Sequence, residues 1–207
     1  MLDQKIVSAK SAAMLILMGG KSTRMGTDKA QLLFDGQPFW EKIAKELSAC
    51  GNVYISVSET RDTQPMKNYP CIRDLVPGAG IMGALHAAFH SIPEDLIFAC
   101  ACDMPFINHR MVEYLLNRWN AEAQKGNLLD GVAICDGNGR VYVSAALYHR
   151  RIFGQLCQNI HQNRLRMQSL VRDEANVLLI PMGEIQEFKS CLQNINTPED
   201  YARLAVG

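Results

Sequence analysis

Uninterrupted apolar runs alternate with amphipathic stretches over the first half of the chain. Residues 12–18 (AAMLILM) are apolar throughout and end in Gly19-Gly20, the pattern of a parallel strand buried on both faces. After a glycine- and polar-rich segment that reaches Asp28, residues 38–50 (PFWEKIAKELSAC) place Phe39, Ile43 and Leu47 at spacing four. Pro38 sits at the start and Gly51 just past the end, so an amphipathic helix is predicted. Residues 53–57 (VYISV) predict the next strand. Strand, loop, helix and strand together spell a βαβ unit with a right-handed crossover.

The alternation then repeats. Pro77-Gly78-Ala79-Gly80 reads as a loop, residues 81–90 as a helix, and residues 96–102 (LIFACAC) as another buried strand running into Asp103. Residues 108–120 (NHRMVEYLLNRWN) open on an Asn cap candidate and carry Met111, Tyr114, Leu115 and Arg118 on one helical face. Residues 131–135 and 141–148 flank Asp136-Gly137-Asn138-Gly139, a turn signal that predicts an antiparallel hairpin interrupting the parallel sheet. Residues 177–181 predict a short strand, and residues 198–206 a closing helix capped by Thr197. No linker-like tract divides the chain, so one α/β domain over residues 12–207 is expected, with residues 1–11 as an N-terminal extension.

Composition narrows the function classes. The 207 residues are 48% hydrophobic and 20% charged, which is ordinary globular composition. Lys+Arg and Asp+Glu number 21 each, so no overall positive field exists to hold a nucleic acid by counterion release, and any phosphate binding must be local. The longest apolar run is far short of the roughly 20 residues a membrane helix needs, and residues 1–11 (MLDQKIVSAKS) fit a secretory signal poorly. A cytoplasmic location is expected. The seven cysteines, Cys50, Cys71, Cys100, Cys102, Cys135, Cys157 and Cys191, include no CxxC pair and read as reduced thiols, mostly buried. None of His86, His90, His109, His149 and His161 has metal-motif spacing, and all read as surface or satisfied side chains.

The segment after the first strand (residues 17–29, LMGGKSTRMGTDK) falls where open α/β sheets bind ligands. Its glycines permit close backbone approach, while backbone N–H groups, Arg24 and Lys29 supply positive charge suited to a triphosphate. It matches neither a P-loop nor the dinucleotide-binding GxGxxG pattern, and a plain glycine turn with solvated cations is the alternative. Asp103, at the end of a buried strand, offers a hard oxygen suited to Mg²⁺; a turn Asp before Met104-Pro105 is its alternative.

Gly19-Gly20, Ser22, Arg24-Met25-Gly26 and Asp28-Lys29 resemble the LxGGxSxRMGxDK signature of the nucleotidyltransferases typified by molybdenum cofactor guanylyltransferase. The resemblance continues through Arg73-Asp74 with Pro77-Gly78-Ala79-Gly80, through Cys102-Asp103-Met104-Pro105-Phe106, and through residues 194–200 (NINTPED). These four ordered segments span nearly the whole chain. The resemblance implies a Rossmann-like three-layer α/β sandwich of the nucleotide-diphospho-sugar transferase type. It also implies transfer of GMP from GTP to molybdopterin with release of pyrophosphate, Mg²⁺ as cofactor, and passing contact with molybdoenzymes or other cofactor-biosynthesis proteins. By the same resemblance, Lys29, Arg24 and Asp103 are catalytic, and the nucleotide is held at Leu17, Met18, Gly19, Gly20, Lys29, Ser58, Asp74 and Asp103. The metal falls to Asp103 with Asn194 and Asn196, although Thr197-Pro198-Glu199-Asp200 beside them is also a plain helix start.

Two departures stand out. Ser58 occupies a place where this branch usually carries an Asn that helps hold the base or ribose, and Tyr142-Val143 stand where Gln-Pro is usual in a segment associated with the pterin substrate. Three readings therefore stay open: guanylyl transfer to molybdopterin, transfer of CMP or another nucleotide to a different phosphorylated acceptor, and a non-catalytic nucleotide-binding regulator.

Overall fold

In chain order the strands and helices are β1 (Ala12–Leu17), β2 (Leu33–Phe34), β3 (Gln37–Pro38), α1 (Phe39–Leu47), β4 (Val53–Val57), β5 (Cys71–Arg73), α2 (Gly80–Ser91) and β6 (Leu96–Ala101). They continue with α3 (His109–Gln124), β7 (Gly131–Cys135), β8 (Ala145–His149), α4 (Phe153–His161), α5 (Met167–Ser169), β9 (Val177–Pro181) and α6 (Pro198–Leu204). This computed structural model describes residues 12–18 and 32–204.

All six residues of β1 are buried, as a strand with both faces covered must be. β1 lies at the centre of the main sheet, parallel to β4 on one side and β6 on the other. The sheet order is β5-β4-β1-β6-β8-β7-β9, with β8 antiparallel to both of its neighbours. Because side chains alternate along a strand, Met14 and Ile16 enter one core and Ala13, Leu15 and Leu17 the other. The first core is closed by α1 and α3 through Ile43, Leu47, Leu115 and Trp119, and the second by α2 and α4 through Leu85, Phe89 and Leu156. The result is the expected three-layer sandwich.

Element by element, the buried strands fall close to the predicted bounds. Helix α1 runs Phe39–Leu47 rather than over residues 38–50, since Pro38 holds extended geometry (φ −55°, ψ 140°) as its cap. α3 is capped as expected, with Asn108 accepting from the Met111 N–H at 3.0 Å. The expected hairpin is antiparallel but loosely paired. β7 and β8 meet only at Gly131 opposite Tyr148 and Val132 opposite Leu147, with a single bridge between Cys135 and Val141 near the turn. The strand after the turn begins at Ala145 because Val141 leaves the ladder and gives both of its backbone groups to the Gln168 side-chain amide.

Several elements lack a predicted counterpart: the β2–β3 ribbon, β5, α4, and α5 with the π-turn Leu170–Glu174 that follows it. The ribbon turns on Asp35-Gly36, both at positive φ (53° and 75°), the geometry a two-residue hairpin loop requires. All seven cysteines are free, four of them buried. No helix among the described residues is long and apolar enough to cross a membrane.

Candidate active site

The chain passes from β1 to β4 and β5 on one side, then returns to place β6 on the other, so the strand order reverses at β1. Crevices at the carboxyl ends of strands at such a switch point are where open α/β sheets take ligands. Two sequence-predicted positions, Leu17 and Met18, lie there. Met18 donates its N–H to the Ser56 carbonyl at 2.9 Å, and the Leu17 carbonyl accepts from the Cys102 N–H at 3.1 Å. Both Leu17 and Met18 are buried, so what they can offer a ligand is backbone rather than side chain. Gly19, Gly20, Arg24 and Lys29 lie outside the described residues.

Asp103 follows β6 by two residues and is half-buried. Its Oδ1 accepts from Asn194 Nδ2 at 2.8 Å, and its carbonyl accepts from the Ile195 N–H at 2.8 Å. A segment 91 residues further along the chain is thereby clamped to the carboxylate. Asn196 stands differently. Its backbone N–H donates to Asp200 Oδ2 at 3.1 Å, as does that of Thr197 at 3.0 Å, while Thr197 Oγ1 accepts from the Asp200 N–H. This reciprocal cap starts α6, which accounts for the Thr-Pro-Glu-Asp stretch in local terms.

Asp74 follows β5 directly, and its N–H donates to the Val57 carbonyl at 3.0 Å. Its carboxylate accepts from the buried Ser56 hydroxyl at 3.5 Å, a long contact. Burial holds the Asp74 carboxyl above its usual range, with the Ser56 hydroxyl opposing that shift. A half-buried carboxylate that, among the described residues, meets one donor at 3.5 Å suits a ligand that brings N–H or O–H groups of its own. Ser58, just past β4, lines a cavity of about 630 Å³ with Trp40, Thr60, Arg61 and Met66.

Two features here escaped the sequence. Arg73 Nη1 donates to the Glu59 carbonyl at 2.7 Å and also reaches those of Ser58 and Arg61, so it braces the loop carrying Ser58. Ser56 is one of few buried polar side chains and is the partner of Asp74. The Pro77-Gly78-Ala79-Gly80 loop holds Gly78 at φ 84° and Gly80 at φ 57°, which lets the chain turn straight into α2. The first turn of α2 has no side-chain cap and faces the same end of the sheet, adding the positive end of a helix dipole to the crevice.

Among the described residues no three His, Cys, Asp or Glu side chains gather as a metal cage. The donor set at Asp103 is one hard carboxylate with an amide beside it. That fits Mg²⁺, which is bound through one or two carboxylates together with substrate phosphates rather than by an all-protein cage.

A family model for the MobA-like NTP transferase domain matches residues 14–177. A molybdenum cofactor biosynthesis bifunctional protein from Synechocystis sp. is 31% identical over 194 residues, which is 92% of this chain and 52% of that protein. The chain thus spans about half the length of that relative. A probable molybdenum cofactor guanylyltransferase from Methanothermobacter thermautotrophicus is 29% identical over 89% of this chain and 94% of its own length. Among solved structures, molybdopterin-guanine dinucleotide biosynthesis protein A from Archaeoglobus fulgidus superposes with a TM-score of 0.75 at 23% identity, over 93% of this chain and 96% of that one, and so shares the fold.

Proposed function

Because the chain belongs to the MobA-like NTP transferase family and is a nucleotidyltransferase, we propose that it transfers GMP from GTP to the phosphate of molybdopterin and releases pyrophosphate. In this reaction an acceptor phosphate oxygen attacks the α-phosphorus in line. A new phosphoanhydride bond forms as the bond to the β-phosphate oxygen breaks. Little covalent chemistry falls to the protein, whose work is positioning and charge neutralisation.

The observation that carries the reading is Asp103 at the switch point, with its carboxylate held by Asn194 at 2.8 Å. Asp103 is the residue to hold Mg²⁺, and Asn194, by donating to Oδ1, fixes how that carboxylate is turned. The ion when bound offsets the negative charge of the triphosphate and of the departing pyrophosphate. Lys29 and Arg24 grip phosphate oxygens, and the backbone at Leu17, Met18, Gly19 and Gly20 lines the path of the nucleotide. Asp74 accepts hydrogen bonds from the nucleoside, and Ser58 lies beside it at the end of β4. The names of the relatives favour a guanine base and a molybdopterin acceptor.

A thermal-shift panel tests the base, since a ligand that binds only the native state raises its apparent stability. With Mg²⁺ present, GTP is expected to raise the melting temperature more than CTP, ATP or UTP. A CTP shift equal to or larger than that of GTP removes the guanine assignment.

A further inference from the structure

Besides the two cores that flank the sheet there is a third, small hydrophobic cluster. Leu32, Phe39 and Ile195 are buried in it, with Phe34, Phe106 and Tyr201 packed around them. Its members come from three segments that the proposed site depends on. Leu32, Phe34 and Phe39 belong to the stretch that follows Lys29, Phe106 lies three residues past Asp103, and Ile195 is next to Asn194. Tyr201 comes from α6.

The rings form a chain. Phe106 meets Phe34 edge-on at 5.6 Å, Phe34 meets Phe39 edge-on at 6.4 Å, and Phe39 meets Tyr201 at 6.1 Å. Tyr201 closes it, because its hydroxyl donates to the Leu33 carbonyl at 2.8 Å while its ring lies against Phe39. Its neighbours Ala202 and Arg203 in α6 are exposed, whereas the Tyr201 ring packs into the cluster. On the other side Ile195 is tied to the Asp103 carbonyl by its N–H.

We propose that Tyr201 is a positioning residue: by clasping Phe39 and Leu33 against Ile195 and Phe106, α6 fixes the Asp103–Asn194 pair relative to the segment that follows Lys29. The proposal rests on the site reading above. The physical case is one of redundancy. The sheet cores are large and closed from several helices, whereas this cluster has few members, and loss of one ring opens it locally without touching the sheet. Groups that must be held in register for in-line transfer are sensitive to small displacements, so a local loosening there is read in catalysis rather than in global stability.

The test uses the full chain with Tyr201→Ala and Tyr201→Phe, measuring steady-state GMP transfer to molybdopterin, calorimetric GTP binding with Mg²⁺, and thermal melting. Tyr201→Ala is expected to melt within a few degrees of wild type, while KM for GTP rises about tenfold and kcat falls by a similar factor. Tyr201→Phe keeps the ring and is expected to stay within about threefold of wild type, because the packing rather than the hydroxyl is the main element. A chain that is merely destabilised has fewer active molecules, which lowers kcat and leaves KM alone. An unchanged KM in Tyr201→Ala therefore overturns the proposal, and so does a Tyr201→Ala chain that cannot fold, since the cluster would then not be separable from the main cores. Wild-type protein that neither binds GTP nor transfers GMP removes the functional reading itself. Active wild type beside a Tyr201→Ala protein whose KM is unchanged removes the clasp alone.

Discussion

The two ends of the sheet use their charged groups differently. At the amino end of the parallel strands, charged groups are answered by one another and by backbone. Arg150 donates to Asp95 Oδ1 at 2.8 Å and to the carbonyls of Phe89, Ile92 and Glu94. Glu94 accepts from Asn52 and Tyr54. Arg151 pairs with Asp130 at 3.7 Å and lies over the Trp119 ring, on which His149 also stacks. At the carboxyl end, among the described residues, the Asp74 carboxylate meets the Ser56 hydroxyl at 3.5 Å and Asp103 Oδ1 accepts from an amide 91 residues away. The amino end ties its charges to one another and to backbone, although Trp119 Nε1 and Arg151 Nε are buried there with no hydrogen bond among the described residues. At the other, two half-buried carboxylates lie at the strand ends where open α/β sheets take ligands.

The largest expected effect breaks the carboxyl end. Asp103→Ala is expected to retain its circular dichroism spectrum and lose transfer by at least about a hundredfold, as when a charge-stabilising group is removed from a reacting phosphate. A folded Asp103→Ala enzyme with pyrophosphate release near wild type would show that the carboxylate is ornamental to the reaction. The mirror-image experiment is Arg150→Met. Three backbone carbonyls and Asp95 lose their donor, so a loss on the order of 2 kcal/mol in denaturant unfolding is expected. GMP transfer per folded molecule should stay at the wild-type rate, and a selective fall in kcat would mean the two ends are not separable.

The contrast also explains what could be read from the chain before its structure. The parallel half was legible because AAMLILM, VYISV and LIFACAC are strands covered on both faces, and such strands are predominantly apolar, with Ser56 the polar exception in VYISV. β5 escaped because it has three residues and none of them is fully buried. α4 escaped because its buried side includes the polar Asn159, satisfied by the Gln155 carbonyl and the Glu174 carboxylate, which blurs the apolar period. The Asp35-Gly36 turn was a local signal that stood in plain view. At the site, Asp103 could be found because it ends a buried strand, whereas its pairing with Asn194 and that of Asp74 with Ser56 join residues 91 and 18 positions apart. No local pattern encodes such pairs.

A smaller effect sharpens the amino-end side of the comparison through pH. Burial, helped by the nearby Arg151 and Arg150 and opposed by Asp95 and Asp130, pushes the His149 imidazole down to about 4 from an ordinary 6.5. Below pH 6.5 the unfolded chain takes up a proton that the native state refuses, so this contribution to stability falls as pH drops from 6.5 towards 4. Wild type is expected to lose more unfolding free energy between pH 7.5 and 5 than His149→Gln, which cannot titrate there. Equal losses in the two proteins would place the acid sensitivity elsewhere.

If the carboxyl end is a guanylyl-transfer site as proposed, mass analysis of the product shows it. The chain is incubated with GTP, Mg²⁺ and molybdopterin while pyrophosphate is quantified in the same reaction. The expected result is a molybdopterin product heavier by one GMP unit, one pyrophosphate per product, and slower transfer from CTP. Folded protein that releases no pyrophosphate from GTP, or that builds the CMP product faster than the GMP one, would contradict it.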